Sequence, residues 1–130
     1  MTGVQTCALP ISSIDEVSAV LKNAKLLVCH DSGQMHIGNA HRTPLLALYG
    51  PTDDVFTAPK APASRMLRLP LPCAPCMKNF AKTEVEAVRD CPIQIRCMRE
   101  LPLDEVWRAC KEMLVAFPRA DGDPAGMIKL

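Results

Sequence analysis

Two short apolar runs, Leu26-Leu27-Val28-Cys29 and Leu45-Leu46-Ala47-Leu48-Tyr49, constrain the fold more than any other feature of the sequence. Neither alternates. A strand with one wet face carries a polar residue at every second position, whereas a strand covered on both faces reads as an unbroken apolar run, the habit of parallel sheets flanked by helices. Turn chemistry closes both runs: His30-Asp31-Ser32-Gly33 after the first and Gly50-Pro51-Thr52-Asp53 after the second. Residues 34–41 between them have the length of a crossover helix. Upstream, Ser13-Ile14-Asp15-Glu16 has the form of a capping box and predicts a helix over 14–23 with Ile14, Val17, Val20 and Leu21 on one face. Downstream, 66–69 is a short strand candidate and 79–89 a helix. Residues 103–117 form an amphipathic helix with Val106, Cys110, Met113 and Leu114 toward a core. The alternation predicts a doubly wound α/β domain with a parallel sheet.

Composition narrows the functional classes. The chain has 130 residues, 48% of them hydrophobic, which suits one modest core, and a net charge of +1 gives no compositional case for a nucleic-acid binder. A locally basic stretch runs over 60–99, with Lys60, Arg65, Arg68, Arg89, Arg96 and Arg99 among its cations, and reads as a solvated surface or a face near phosphates or anionic lipid. No run approaches the roughly 18 apolar residues of a membrane span. Seven cysteines, an odd number, favour reduced thiols in a cytosolic compartment over a disulfide framework.

The turn after the first run carries the most chemistry. Ser32, Gly33 and Gln34 would present backbone N–H groups at the positive end of a helix, where anions bind. Gly33 allows a positive φ and removes a Cβ from a phosphate's path. Asp31 suits the hydroxyls of a sugar rather than a phosphate. The alternative, that Asp31 or Ser32 only caps the helix, is equally compatible with the spacing. His36, one turn on, can donate to a phosphate oxygen or be a packed or solvated side chain. His30 and His41 are assigned structural roles, as are Cys29 and Cys110 in the core and Trp107 in packing.

The block 27–36 ending Asp31-Ser32-Gly33-Gln34-Met35-His36, followed by Pro44 to Tyr49 and Gly50-Pro51-Thr52-Asp53, resembles the signature of the heptosyltransferase family, glycosyltransferase family 9. The likeness continues through Pro72-Cys73-Ala74-Pro75-Cys76, Asp90-Cys91-Pro92, Cys97-Met98-Arg99-Glu100 and Asp104-Glu105-Val106. It implies a Rossmann-like C-terminal donor-binding domain of a GT-B glycosyltransferase, here incomplete. It further implies inverting transfer of heptose from ADP-heptose to the lipopolysaccharide inner core at the cytoplasmic face of the inner membrane, with no cofactor required. By position the resemblance assigns donor binding to Asp31, Ser32, Gly33, Gln34, Met35 and His36. The base and the acceptor site fall in an N-terminal domain that this chain lacks, so the fragment alone is expected to be inactive. Gln34 departs from the family's proline and restores an N–H.

Cys73-x-x-Cys76 with Cys91 and Cys97 is a candidate structural zinc set; the second pair is spaced more widely than a zinc knuckle requires, which leaves packed or free thiols as the alternative. Two other functional classes stand beside the first: a GT-B enzyme using a different nucleotide sugar, and a small zinc-stabilised binding module. Residues 1–11 are set apart. They reverse-translate to DNA closely resembling a common sequencing adapter and are read as an artefact. Residues 12–117 are then the partial nucleotide-sugar-binding domain and 118–130 a loose tail.

Overall fold

The computed structural model describes residues 12–77 and 83–119. The segment 1–11 and most of the expected tail, 120–130, lie outside the described residues.

Helix α1 (Ile14–Asn23) starts where the capping box places it: Glu16 N–H donates to Ser13 Oγ at 3.2 Å, and Ser13 N–H to the Glu16 carboxylate at 2.6 Å. Only half of its apolar stripe is covered, because Val17 and Leu21 are buried while Ile14 and Val20 stay 67% and 68% exposed. Strands β1 (Leu27–His30), β2 (Leu45–Tyr49) and β3 (Ser64–Arg68) form one parallel sheet in that order, with Leu27 opposite Leu45 and Leu45 opposite Ser64. Helix α2 (Gly33–Ala40) crosses from β1 to β2, and the single-turn α3 (Asp54–Thr57) lies between β2 and β3. Three helices follow: α4 (Glu84–Arg89), α5 (Arg96–Arg99) and α6 (Leu103–Ala116).

The unbroken apolar run of β2 has a direct cause. Leu45, Ala47 and Tyr49 pack with Met35 of α2 on one face of the sheet, and Leu46 packs with Ala109, Cys110 and Met113 of α6 on the other. The sheet is thus a wall between two cores, a mixed α/β arrangement of Rossmann-like character. For β1 the same expectation fails. Val28 lies opposite Leu46 on the α6 side, yet it is 44% exposed and His30 is exposed, because β1 is an edge strand beyond the reach of α6. Leu114 also departs from expectation: 44% exposed, it sits on the margin of a stripe carried by Val106, Ala109, Cys110 and Met113. Trp107 is 62% exposed, with Lys111 Nζ over its ring at 6.0 Å.

Two local signals lay outside the reading of the sequence. Thr83 and Glu86 form a second capping box, so α4 starts at Glu84; residues 79–82 of the expected helix lie outside the described residues. Arg119, assigned to the loose tail, is tied down, donating from its two terminal nitrogens to the carbonyls of Ala24 (2.9 Å) and Lys22 (2.7 Å) at the end of α1, where cations are favoured. His41 is structural as expected, bonded to Ser18 at 2.6 Å.

Candidate functional site

All three strands run the same way, so the loops after β1 and β2 meet at one end of the sheet, where ligands collect in open parallel sheets. A cleft of about 340 Å³ lies there, between His30 and Asp31 after β1 and Gly50, Pro51 and Thr52 after β2, with Val88 and Met98 closing it from α4 and α5. Gly50 makes the approach of α5 feasible. A Cβ at that position would stand 2.5 Å from Met98 Sδ and 3.2 Å from Cys97 Sγ.

Asp31 is held rather than free. Thr57 Oγ1 donates to Asp31 Oδ2 at 2.7 Å, and Tyr49 OH, 3.2 Å from Thr57 Oγ1, completes a relay from the core to the carboxylate. Burial raises the Tyr49 pKa, and nearby Asp31 adds to that, so the phenol stays a donor. Desolvation, with Asp31 second, pushes the Cys29 thiol up to about 11 and keeps it neutral beside the site. Arg68 braces the second turn, donating to Thr52 O (2.8 Å) and Asp54 Oδ1 (2.8 Å) with its guanidinium 5.7 Å from the Tyr49 ring centre.

Ser32 is the N-cap of α2, yet its hydroxyl donates back to His30 O at 3.3 Å and makes no capping bond. The first N–H groups of α2 are therefore left without a side-chain acceptor, which removes simple side-chain capping as the role of this turn. Gly33 opens the helix in ordinary helical conformation; the expected positive φ is not used, because α2 begins at the glycine rather than after it. A Cβ on Gly33 would meet nothing within 4 Å, so the space before these amides is open. Gln34 is half-buried, and His36 is exposed with Nε2 4.0 Å from Asp31 Oδ1. Met35 is the exception among the six candidates. It is fully buried, its Sδ lies 3.5 Å from the Tyr49 oxygen, and it supports the turn by packing from behind rather than by touching a ligand.

Thr57 and Met98 reach this site without having been singled out from sequence, and His30, read there as structural, lines the cleft beside Thr52 of the second turn. Thr57 carried no signal beyond its place four residues after Asp53, the last residue of the second turn. Thr57→Val keeps the shape but strands a carboxylate that is 12% exposed, and we expect a loss of about 1–3 kcal/mol in unfolding free energy, read from the urea midpoint.

The expected basic face is largely neutralised, since Arg65, Arg68, Arg89 and Arg96 pair with Glu112, Asp54, Asp90 and Glu100. Among the described residues no three Cys, His, Asp or Glu side chains stand as a formed metal cage, and Cys29, Cys73, Cys76, Cys91, Cys97 and Cys110 are free thiols. No described helix is long and apolar enough to cross a membrane.

The model of a family described as glycosyltransferase family 9 (heptosyltransferase) matches residues 2–85. The chain is 38% identical over 58 residues to lipopolysaccharide heptosyltransferase 2 of Escherichia coli, covering 45% of this chain and 17% of that protein. It is 36% identical over 78 residues to lipopolysaccharide heptosyltransferase 1 of Pseudomonas aeruginosa, covering 59% and 22%. It is 29% identical over 91 residues to lipooligosaccharide heptosyltransferase 2 of Campylobacter jejuni, covering 68% and 25%. The chain thus spans a quarter or less of the length of these curated relatives. No solved structure matches it.

Proposed function

The chain belongs to glycosyltransferase family 9, the heptosyltransferase family, and from that premise we propose that it supplies the donor-diphosphate site of a GT-B enzyme that uses ADP-heptose. The observation that carries this reading is the uncapped start of α2 facing open space at Gly33, with Asp31 fixed beside it by Thr57.

The chemistry follows from that geometry. Transfer of the sugar leaves a nucleoside diphosphate whose negative charge grows as the glycosidic bond breaks, so donors aimed at its oxygens accelerate the reaction to the extent that they bind this growing charge better than the ground state. The amides of Gly33 and Gln34 at the positive end of α2 are oriented before the reaction begins and need no reorganisation. His36 stands within reach to add a proton-bearing donor, while Asp31, acceptor-only as a carboxylate, orients the sugar hydroxyls and keeps the phosphates to the helix side. The proton of the acceptor hydroxyl goes to a base in the facing domain, which also holds the lipopolysaccharide core at the cytoplasmic face of the inner membrane. The anomeric centre inverts in this scheme, and the charge of the leaving group is met by amides and imidazole.

A second reading keeps the fold and changes the donor, because backbone amides identify neither base nor sugar. Calorimetric titration separates the two. ADP-heptose and ADP should bind at least about tenfold more tightly than UDP-sugars, a difference of about 1.4 kcal/mol. Equal or tighter binding of a UDP-sugar would transfer the assignment to another donor. Absence of heat with every nucleoside diphosphate would remove the donor site altogether.

A further inference from the structure

Four cysteines, none of them lining the cleft, belong to segments that meet beside the turn 50–52. Two separate segments dock on the turn 50–52. Met77 N–H donates to Pro51 O at 2.8 Å and Met77 forms a parallel bridge with Thr52, which brings the adjoining Cys76 to the turn. Helix α5 brings Cys97 against the same turn, its Sγ 3.2 Å from where a Gly50 Cβ would be. Cys91 is fastened to the start of that helix, because its Sγ accepts the N–H of Ile95, the N-cap of α5, at 3.1 Å. Cys73 completes the Cys-x-x-Cys pair with Cys76. Cys76, Cys91 and Cys73 all lie within electrostatic reach of Cys97.

Packing does not explain the set. Cys97 is buried, but Cys73 and Cys76 are exposed, and an exposed thiol gains nothing as a small hydrophobe. The backbone between the second pair is also unfavourable. Gln94 and Ile95 both hold positive φ, 51° and 53°, and a β-branched residue does so only when its surroundings dictate it. The result is a backbone N–H aimed at the Cys91 sulfur.

We propose that Cys73, Cys76, Cys91 and Cys97 make a structural tetrathiolate site for zinc or ferrous iron, which staples the segment 73–77 and α5 to the turn at the floor of the cleft. Tetrahedral sulfur coordination suits either metal. Among the described residues no three of these side chains are placed to hold a metal as they stand, so binding requires the four sulfurs to draw together; Cys73 and Cys76 face solvent. Binding replaces four S–H bonds with four metal–sulfur bonds and releases four protons to solvent. The resulting double negative charge lies within electrostatic reach of Arg96 through Cys73, although Arg96 also pairs with Glu100. None of the four cysteines lines the cleft, so the site does not rest on the donor assignment.

Metal analysis of the full chain, produced in zinc- or iron-supplemented medium and purified under reducing conditions, tests this. We expect about one zinc or iron per chain, with sulfur-to-iron charge-transfer colour marking the iron form. A Cys73→Ser/Cys76→Ser double variant should lose at least about tenfold of the metal while its far-ultraviolet circular dichroism stays unchanged, since both side chains are exposed. Cys29→Ser should keep its metal. Wild-type chain carrying less than about one metal per ten molecules, metal retained by the double variant, or metal lost from Cys29→Ser would each overturn the site.

Discussion

Gly33→Val weakens binding of a nucleoside diphosphate sugar by about tenfold to a hundredfold, and leaves the urea midpoint where it was. The two halves of this expectation come from different parts of the structure. Stability is preserved because a Cβ at Gly33 meets nothing within 4 Å and because Gly33 already has helical backbone geometry. Valine is no worse than glycine in a helix. Binding is lost because the branched side chain occupies the open space in front of the first amides of α2. Each charge-assisted hydrogen bond forfeited is worth about 1.5–3 kcal/mol, and 1.4 kcal/mol is tenfold in affinity. Calorimetry with ADP-heptose beside a urea titration checks both halves. An unchanged affinity would place the diphosphate elsewhere, and a drop in the midpoint would show that the glycine serves the fold.

Leu46→Ala has the largest expected effect on stability, about 3 kcal/mol and within the 2–5 kcal/mol that buried leucine truncations cost. Leu46 is fully buried at the centre of the sheet and meets Ala109, Cys110 and Met113. Its loss removes transfer free energy and leaves a cavity that neighbours on a strand bonded on both sides cannot easily fill. Against a total stability of about 5–15 kcal/mol this is a large fraction, visible as a fall in melting temperature. Leu114→Ala, at a position 44% exposed on the margin of the same helix, should cost about 0.5 kcal/mol or less. Equal losses at the two positions would contradict the packing of α6 on β2.

Local signals were legible in the sequence wherever a short stretch determines its own structure. The Ser13–Glu16 box set the start of α1, and the unbroken apolar run of β2 announced burial on both faces. The same rule misjudged β1, because a run of apolar residues says nothing about whether a strand lies at the centre or at the edge of a sheet, and Val28 lies at the edge. The candidate site divides in the same way. Asp31, Ser32, Gly33, Gln34 and His36 come together because they share one turn, whereas Thr57 and Met98 arrive from distant segments and depend on how α3 and α5 pack. Met35 sits within the motif and faces the core, since a helix turns its third residue away from the side its first presents.

The two-sided wall of β2 has a consequence during synthesis. The α2 side of the sheet draws Leu27, Met35, Leu45, Ala47, Tyr49 and Met66 from one continuous early portion of the chain, so it is complete soon after β3 leaves the ribosome. The opposite side, bearing Leu46, Leu48 and Leu67, waits for α6, which is translated later. For that interval the nascent chain carries this sheet with one greasy side turned to solvent, the kind of surface that holdase chaperones recognise. Slow codons between β3 and α6 would lengthen this exposure and lower the soluble yield, without altering a single amino acid.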